Sequence, residues 1–208
     1  MYVKGKKADR SEQTRRMLLD VARRLFAEHG FAGTPTEEIV REAGVTRGAL
    51  YYHFKDKQDL FRGVVEDMQR QGMARLNEAL QPIADPWQRL LSGMQAFLDG
   101  CLVPETRQIL LIDAPAVLGW SAWREIDNRY ALGALRAELA AAVTAGQLAP
   151  QPLEPLAHLL LGALGEAGML LAEAPDPVAT RAELGEALNR LLAGLRVGVR
   201  AEGRGQRA

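Results

Sequence analysis

The segment TRGALYYHF, residues 46–54, gathers a hydroxyl, a guanidinium, a position without a side chain, two phenols and an imidazole on one short stretch. Wound as a helix, it turns Ala49, Leu50 and Phe54 toward one side, because residues one and four apart lie close on the helical wheel. Thr46, Arg47, Gly48, Tyr52 and His53 then face outward. Polar groups at an exposed helix N-terminus suit a DNA major groove, where the first residues reach base edges and backbone N–H groups meet phosphates. Arg47 is the best base reader of the set, since a guanidinium can bond guanine with both arms. Gly48 lets the helix approach closely. The same residues also fit a plainer arrangement, in which Tyr51, Tyr52 and His53 form a half-buried aromatic edge.

The elements that must position this stretch are legible upstream. Thr14, Leu18, Val21, Ala22, Leu25 and Phe26 recur at helical spacing and Gly30 follows, which predicts an amphipathic helix over 11–29 with a glycine C-cap. A second helix is expected from Thr36, whose hydroxyl can cap it while Glu37 and Glu38 complement the positive end of its dipole. It buries Ile39, Val40 and Ala43 and stops at Gly44. Only Val45 separates that glycine from Thr46, a candidate N-cap for the third helix. Two short helices joined so tightly form a helix-turn-helix, with the first helix as the third wall of its core.

The stretch LFAEHGFAGTPTEEIVREAGVTRGALYYHFKDKQDL, residues 25–60, carries G-F-x-x-T, A-G-V-T-x-G and L-Y-x-H-F-x-x-K-x-x-L patterns. In these it resembles the DNA-binding domain of the TetR family of bacterial transcriptional regulators; Pro35, before the second helix, is a departure from the usual small residue or threonine. The resemblance implies phosphate contact by Thr36, contacts to bases or neighbouring phosphates by Thr46, Arg47, Gly48 and Tyr52, and a grip on the backbone by Tyr51, His53 and Lys57. It also implies a homodimer on a pseudo-palindromic double-stranded operator and a body that encloses a site for a small-molecule inducer.

The formal net charge of zero hides an asymmetry: residues 1–63 hold 13 Lys and Arg against 9 Asp and Glu, the remainder 13 against 17. A basic head on an acidic body is a mild form of a polyanion binder's footprint. A chain rich in Ala and Leu, without alternating strand-like runs, reads as all-α. The N-terminus has no apolar segment of the signal-peptide kind, and the apolar run 156–172 is broken by His158 and Glu166, so a cytoplasmic protein without a membrane span is expected. The single cysteine, Cys101, excludes an internal disulfide. The organisation expected is a basic arm over 1–10, the helix-turn-helix domain over 11–60, a helical ligand-binding and dimerisation domain over 61–200, and a disordered tail over 201–208.

Within the body, the 57–80 segment reads as one long helix shared with the head, and further helices are expected over 86–103, 105–113, 120–145, 154–173 and 177–199. Met94, Phe97 and Cys101 form one stripe and Trp123, Ile126, Asp127 and Tyr130 another; with Glu166 and Met169 they are the candidate pocket lining for a partly apolar inducer. Core packing fits each of them as well. Gly162, Gly165 and Gly168, with Leu184, Leu188, Leu191 and Leu195, form the candidate dimer face. No metal-ligand cluster, phosphate loop or nucleophile elbow appears, and no cofactor or metal is expected. Asp113 and Glu166 are the best acid–base pair available to an enzyme. An architectural DNA-binding dimer with a filled core is the other alternative.

Overall fold

The computed structural model describes residues 3–197, with side chains from residue 9 onward. Helix α1 (Val3–Gly33) begins well before residue 11, so the expected arm continues the helix; the side chains of Lys4, Lys6 and Lys7 and the tail 201–208 lie outside the described residues. At Gly30 the backbone takes φ 69° and ψ 169° and the helix breaks, a conformation that a residue without Cβ adopts at little cost. Fully buried Thr34 ties off the break, its Oγ1 lying 2.8 Å from Gly30 O and 3.1 Å from Leu25 O.

The next two helices are short and are held by their ends. In α2 (Thr36–Glu42) Pro35 is the N-cap and makes no side-chain bond, so the expected cap by the Thr36 hydroxyl is absent and Thr36 is simply the first helical residue. Gly44, at φ 63°, turns the chain toward α3 (Arg47–His53). There Thr46 does cap, its Oγ1 accepting from Ala49 N at 3.2 Å. α4 (Lys57–Leu80) starts in the same manner, with Asp56 accepting from Asp59 N at 2.8 Å.

The body continues through α5 (Pro86–Cys101), α6 (Pro104–Thr106), a π-helix (Arg107–Asp113), α7 (Ala114–Leu118), α8 (Trp120–Thr144), α9 (Leu153–Glu173) and α10 (Pro177–Ala193). Among the described residues there is no strand, only one isolated bridge between Leu148 and Arg196. The fold is all-α: a three-helix head with a helix-turn-helix, and a helical body. α9 is long and apolar enough to cross a bilayer by composition, contrary to expectation, yet Leu160, Leu161, Leu164, Ala167 and Leu171 are buried in the body's core.

Head and body share a core. Leu18, Leu25, Phe26, Ile39, Leu50, Leu60 and Phe61 close the head, and the same apolar cluster runs on through Ile109, Ala114, Leu118, Trp123 and Ile126. Phe61 of α4 meets Phe26 edge-on at 5.2 Å and Phe31 at 5.0 Å between ring centroids. Polar ties cross the same seam: Arg23 donates to both carboxylate oxygens of Glu105 at 2.6 and 2.5 Å, Phe31 N donates to Asp113 at 2.8 Å, and Gln58 to Val117 O at 2.8 Å.

The expected dimer face divides. Gly165 and Gly168 point inward, where a Cβ on Gly168 would come within 3.2 Å of Leu111 Cδ2 and one on Gly165 within 3.5 Å of Arg124. Leu188 is buried, and Leu184 and Leu195 pack partly buried on the body's own core. These small and apolar residues let helices of one chain approach one another. Gly162 stays half-buried like Leu184 and Leu195, and of the set only Leu191 is exposed. Gly168→Leu should therefore overpack the core and cost about 1–3 kcal/mol or more, read as a lower urea midpoint, with subunit mass unchanged in sedimentation of the folded fraction.

Candidate DNA-recognition face and candidate ligand cavity

Leu50 and Phe54 anchor α3 from beneath, at 0% and 3% exposure, while Tyr52 stands 78% exposed on the opposite side. Thr46, Arg47, Gly48 and Tyr51 are exposed as well, and His53 is half-buried with its ring 5.0 Å from that of Tyr52. The half-buried aromatic edge therefore describes His53 and in part Tyr51, at 42% exposure, but not Tyr52. A Cβ on Gly48 would meet nothing in the chain nearer than 3.9 Å, and its φ is not in the left-handed region. No demand of the fold requires glycine there; a close external surface would.

Arg47 is poised but occupied. Its guanidinium lies 3.3 Å from Glu37 of α2 and 5.6 Å from the centre of the Tyr51 ring. Thr36 is half-buried at the start of α2. Lys57 does not reach outward in this conformation: Nζ sits 4.2 Å from the Phe31 ring centre, and burial lowers its pKa against a smaller opposing pull from Asp113. Exposed Lys55, which the sequence reading passed over, stands beside it on the loop.

A cavity of about 540 Å³ lies in the body between α4, α5, α8 and α9. Of the expected lining, Met94, Phe97 and Asp127 border it. Cys101, Trp123, Ile126, Tyr130, Glu166 and Met169 do not: Cys101, Trp123 and Ile126 are buried in the two cores, Tyr130 packs partly buried on the head–body core, Met169 is half-buried and Glu166 is exposed. Trp123 is fixed by its Nε1–H donating to Leu110 O at 3.0 Å. α8 turns Asp127, Ala131 and Ala134 to the cavity, one position round from the aromatic stripe. The unforeseen wall is α4, through Gln69, Met73, Leu76 and Leu80. Their spacing of four, three and four is the helical signal that would have revealed it. A wider groove of about 660 Å³, open to solvent, runs between α5 and α10 past Trp87 and Gln95, away from α4.

Asp127 is only 8% exposed. Burial pushes its carboxyl up to about 6, against weaker opposing effects of Arg124 and Gln69. The same burial, with Asp127 nearby, pushes the Cys101 thiol up to about 12, so it is not a nucleophile at neutral pH. Farther along the cavity Arg89 donates to Glu138 at 2.9 Å. The suggested acid–base pair does not converge on this space: Asp113 holds the Phe31 N–H, and Glu166 stands on the outer side of α9. Among the described residues no cluster of three or more potential metal ligands occurs.

Comparisons with known proteins agree with this architecture. Residues 18–64 match the family model described as bacterial regulatory proteins, tetR family, and residues 87–195 match that of the tetracyclin repressor-like C-terminal domain. A crystal structure of a TetR-family transcriptional regulator (ECA1819) from Pectobacterium atrosepticum is 35% identical, covers 91% of this chain and 97% of its own, and superposes with a TM-score of 0.84. The HTH-type transcriptional regulator AcrR of Shigella flexneri is 38% identical over 102 residues, 49% of this chain, and the match spans about half (47%) of its length. RolR, solved with its ligand resorcinol, is similar in fold at 24% identity and a TM-score of 0.71, covering 93% of this chain and 92% of that one.

Two outcomes follow from these geometries. Arg47→Ala should cost about 1–3 kcal/mol on a specific duplex and relax selection at one base, measured by titrating specific and scrambled DNA; equal losses on both would remove the base-reading role. Asp127 keeps its proton longer in the folded chain than in the unfolded one, so stability should fall as pH rises from about 4 through 6. Asp127→Asn should therefore stabilise the protein by about 1–3 kcal/mol near pH 8 and give little gain near pH 4, checked by urea unfolding at both values.

Proposed function

Because this chain belongs to the TetR family of bacterial transcriptional regulators, we propose that it is a homodimeric repressor, held on a pseudo-palindromic operator and released by a small molecule bound in the body. It is a DNA-binding transcriptional regulator and not an enzyme. The observation that carries the finer reading is α4: its first turns are clamped into the head by Leu60, Phe61, Val64 and Val65, and its later turns wall the cavity. Filling the cavity displaces that wall, and the head moves with it. A ligand acts only through a difference in affinity between the two states, so one that binds both equally shifts nothing. The cavity favours this reading over an architectural dimer with a filled body. A cytoplasmic location accords with it.

Dimerisation is assigned to the outer sides of α9 and α10, where Leu159 is 72%, Leu170 47%, Val178 71% and Leu191 50% exposed. They are among the large apolar side chains left exposed on the body, and a partner surface would cover them. Two heads related by a two-fold axis would then address half-sites one DNA turn, about 34–36 Å, or a multiple of it apart. The test is selection of bound fragments from random DNA followed by sedimentation of the protein with and without Leu159→Asp and Leu191→Asp. The reading expects an inverted repeat and a dimer that the double variant converts to a folded monomer with weak DNA binding. Enrichment of a single unrepeated site, or a wild-type monomer at micromolar concentration, would overturn it.

A further inference from the structure

Three ionisable side chains border the cavity, and two of them cancel. Arg89 and Glu138 pair at 2.9 Å, which leaves Asp127 as the one ionisable side chain of the wall that enters no ion pair among the described residues. Arg124 acts on it through its field and the Gln69 amide lies close enough to favour the charged form. Met94, Phe97, Leu161 and Leu164 are among the apolar residues that line the same cavity. A carboxylate so placed is costly unless a cation or several donors meet it. The fold already bears that cost, so a ligand that supplies the missing cation recovers it on binding.

We propose that the cavity selects an organic cation, an amine on an apolar body, with its ammonium seated against Asp127. This deepens the ligand-responsive reading given above and rests on it. The volume of about 540 Å³ falls within the range of roughly 300–1,000 Å³ for sites of drug-sized molecules. An ammonium brings up to three donors and no acceptor, and Gln69 and Asn77 on α4, whose amides each carry an acceptor oxygen, line the same space as Asp127 on α8. One bound ammonium therefore engages two walls at once and sets their separation. An anion meets repulsion from Asp127, and a neutral alcohol offers one hydrogen bond without the charge.

Phenylbutylamine, phenylbutanol and phenylbutyrate share a body and differ in the charge of the head group, and their affinities for the full chain can be measured by calorimetry. The amine should bind at least ten-fold more tightly than the alcohol, and the carboxylate most weakly. Asp127→Asn should abolish the preference for the amine while leaving the alcohol's affinity within about three-fold. Comparable affinities for all three, or an amine preference that survives in Asp127→Asn, would overturn charge selection while leaving the cavity reading intact. Absence of binding by any of the three at millimolar concentration would count against the cavity as a ligand site and against the class with it. Should Asp127→Asn fail to fold, the ranking of the three compounds on the wild-type chain decides alone.

Discussion

Everything in this structure depends on one helix packing into two places. Phe61 sits at 0% exposure against Phe26 and Phe31 in the head, and two turns further along, Gln69 and Met73 face the body's cavity. A helix of 24 residues without an internal proline does not bend freely between these sites. Close-packed aromatic contacts permit discrete rearrangement rather than continuous slack. The seam is reinforced where α1 breaks: Gly30 frees the Phe31 N–H to bond Asp113 of the π-helix, and Arg23 reaches Glu105 just before it. The recognition helix, by contrast, is seven residues long and owes its position to Leu50, to the cap by Thr46 and to the turn at Gly44. It follows whatever carries its floor.

Much of the head could be read from its residues because each boundary has a local cause. Gly30, Gly44, Thr46 and Asp56 punctuate the chain at single positions, and each does so in the structure. The cap assigned to Thr36 failed because Pro35, with φ at −69°, already occupies the extended cap position. For Lys57 the DNA-free resting place could not be read: a basic side chain at a helix start reads as solvent-facing, but the Phe31 ring lies where its ammonium can fold back.

The body was less legible because its side chains serve several neighbours at once. The spacing of Trp123, Ile126 and Tyr130 on α8 reads as a candidate pocket stripe, yet burial against the head core and burial against a cavity leave the same periodicity. Trp123 and Ile126 went to the core and Asp127 to the cavity. The glycine row on α9 misled for the same reason, since small residues admit a close neighbour without saying whether it belongs to the same chain. Charge alone did not separate the lining either, since Asp127 borders the cavity while Glu166, the other carboxylate among apolar residues, is exposed on α9. A carboxylate among apolar residues needs a reason, and placing one at the cavity trades stability for selectivity.

Transmission of cavity occupation through α4 to the head, as proposed above, can be tested without knowing the natural ligand. Ala134→Trp would place an indole in the cavity from α8, leaving every α4 residue unchanged. The account predicts a folded protein whose affinity for the selected operator falls at least ten-fold, with its melting temperature little altered. Undiminished operator affinity in that variant, with a crystal structure placing the indole inside the cavity, would contradict it.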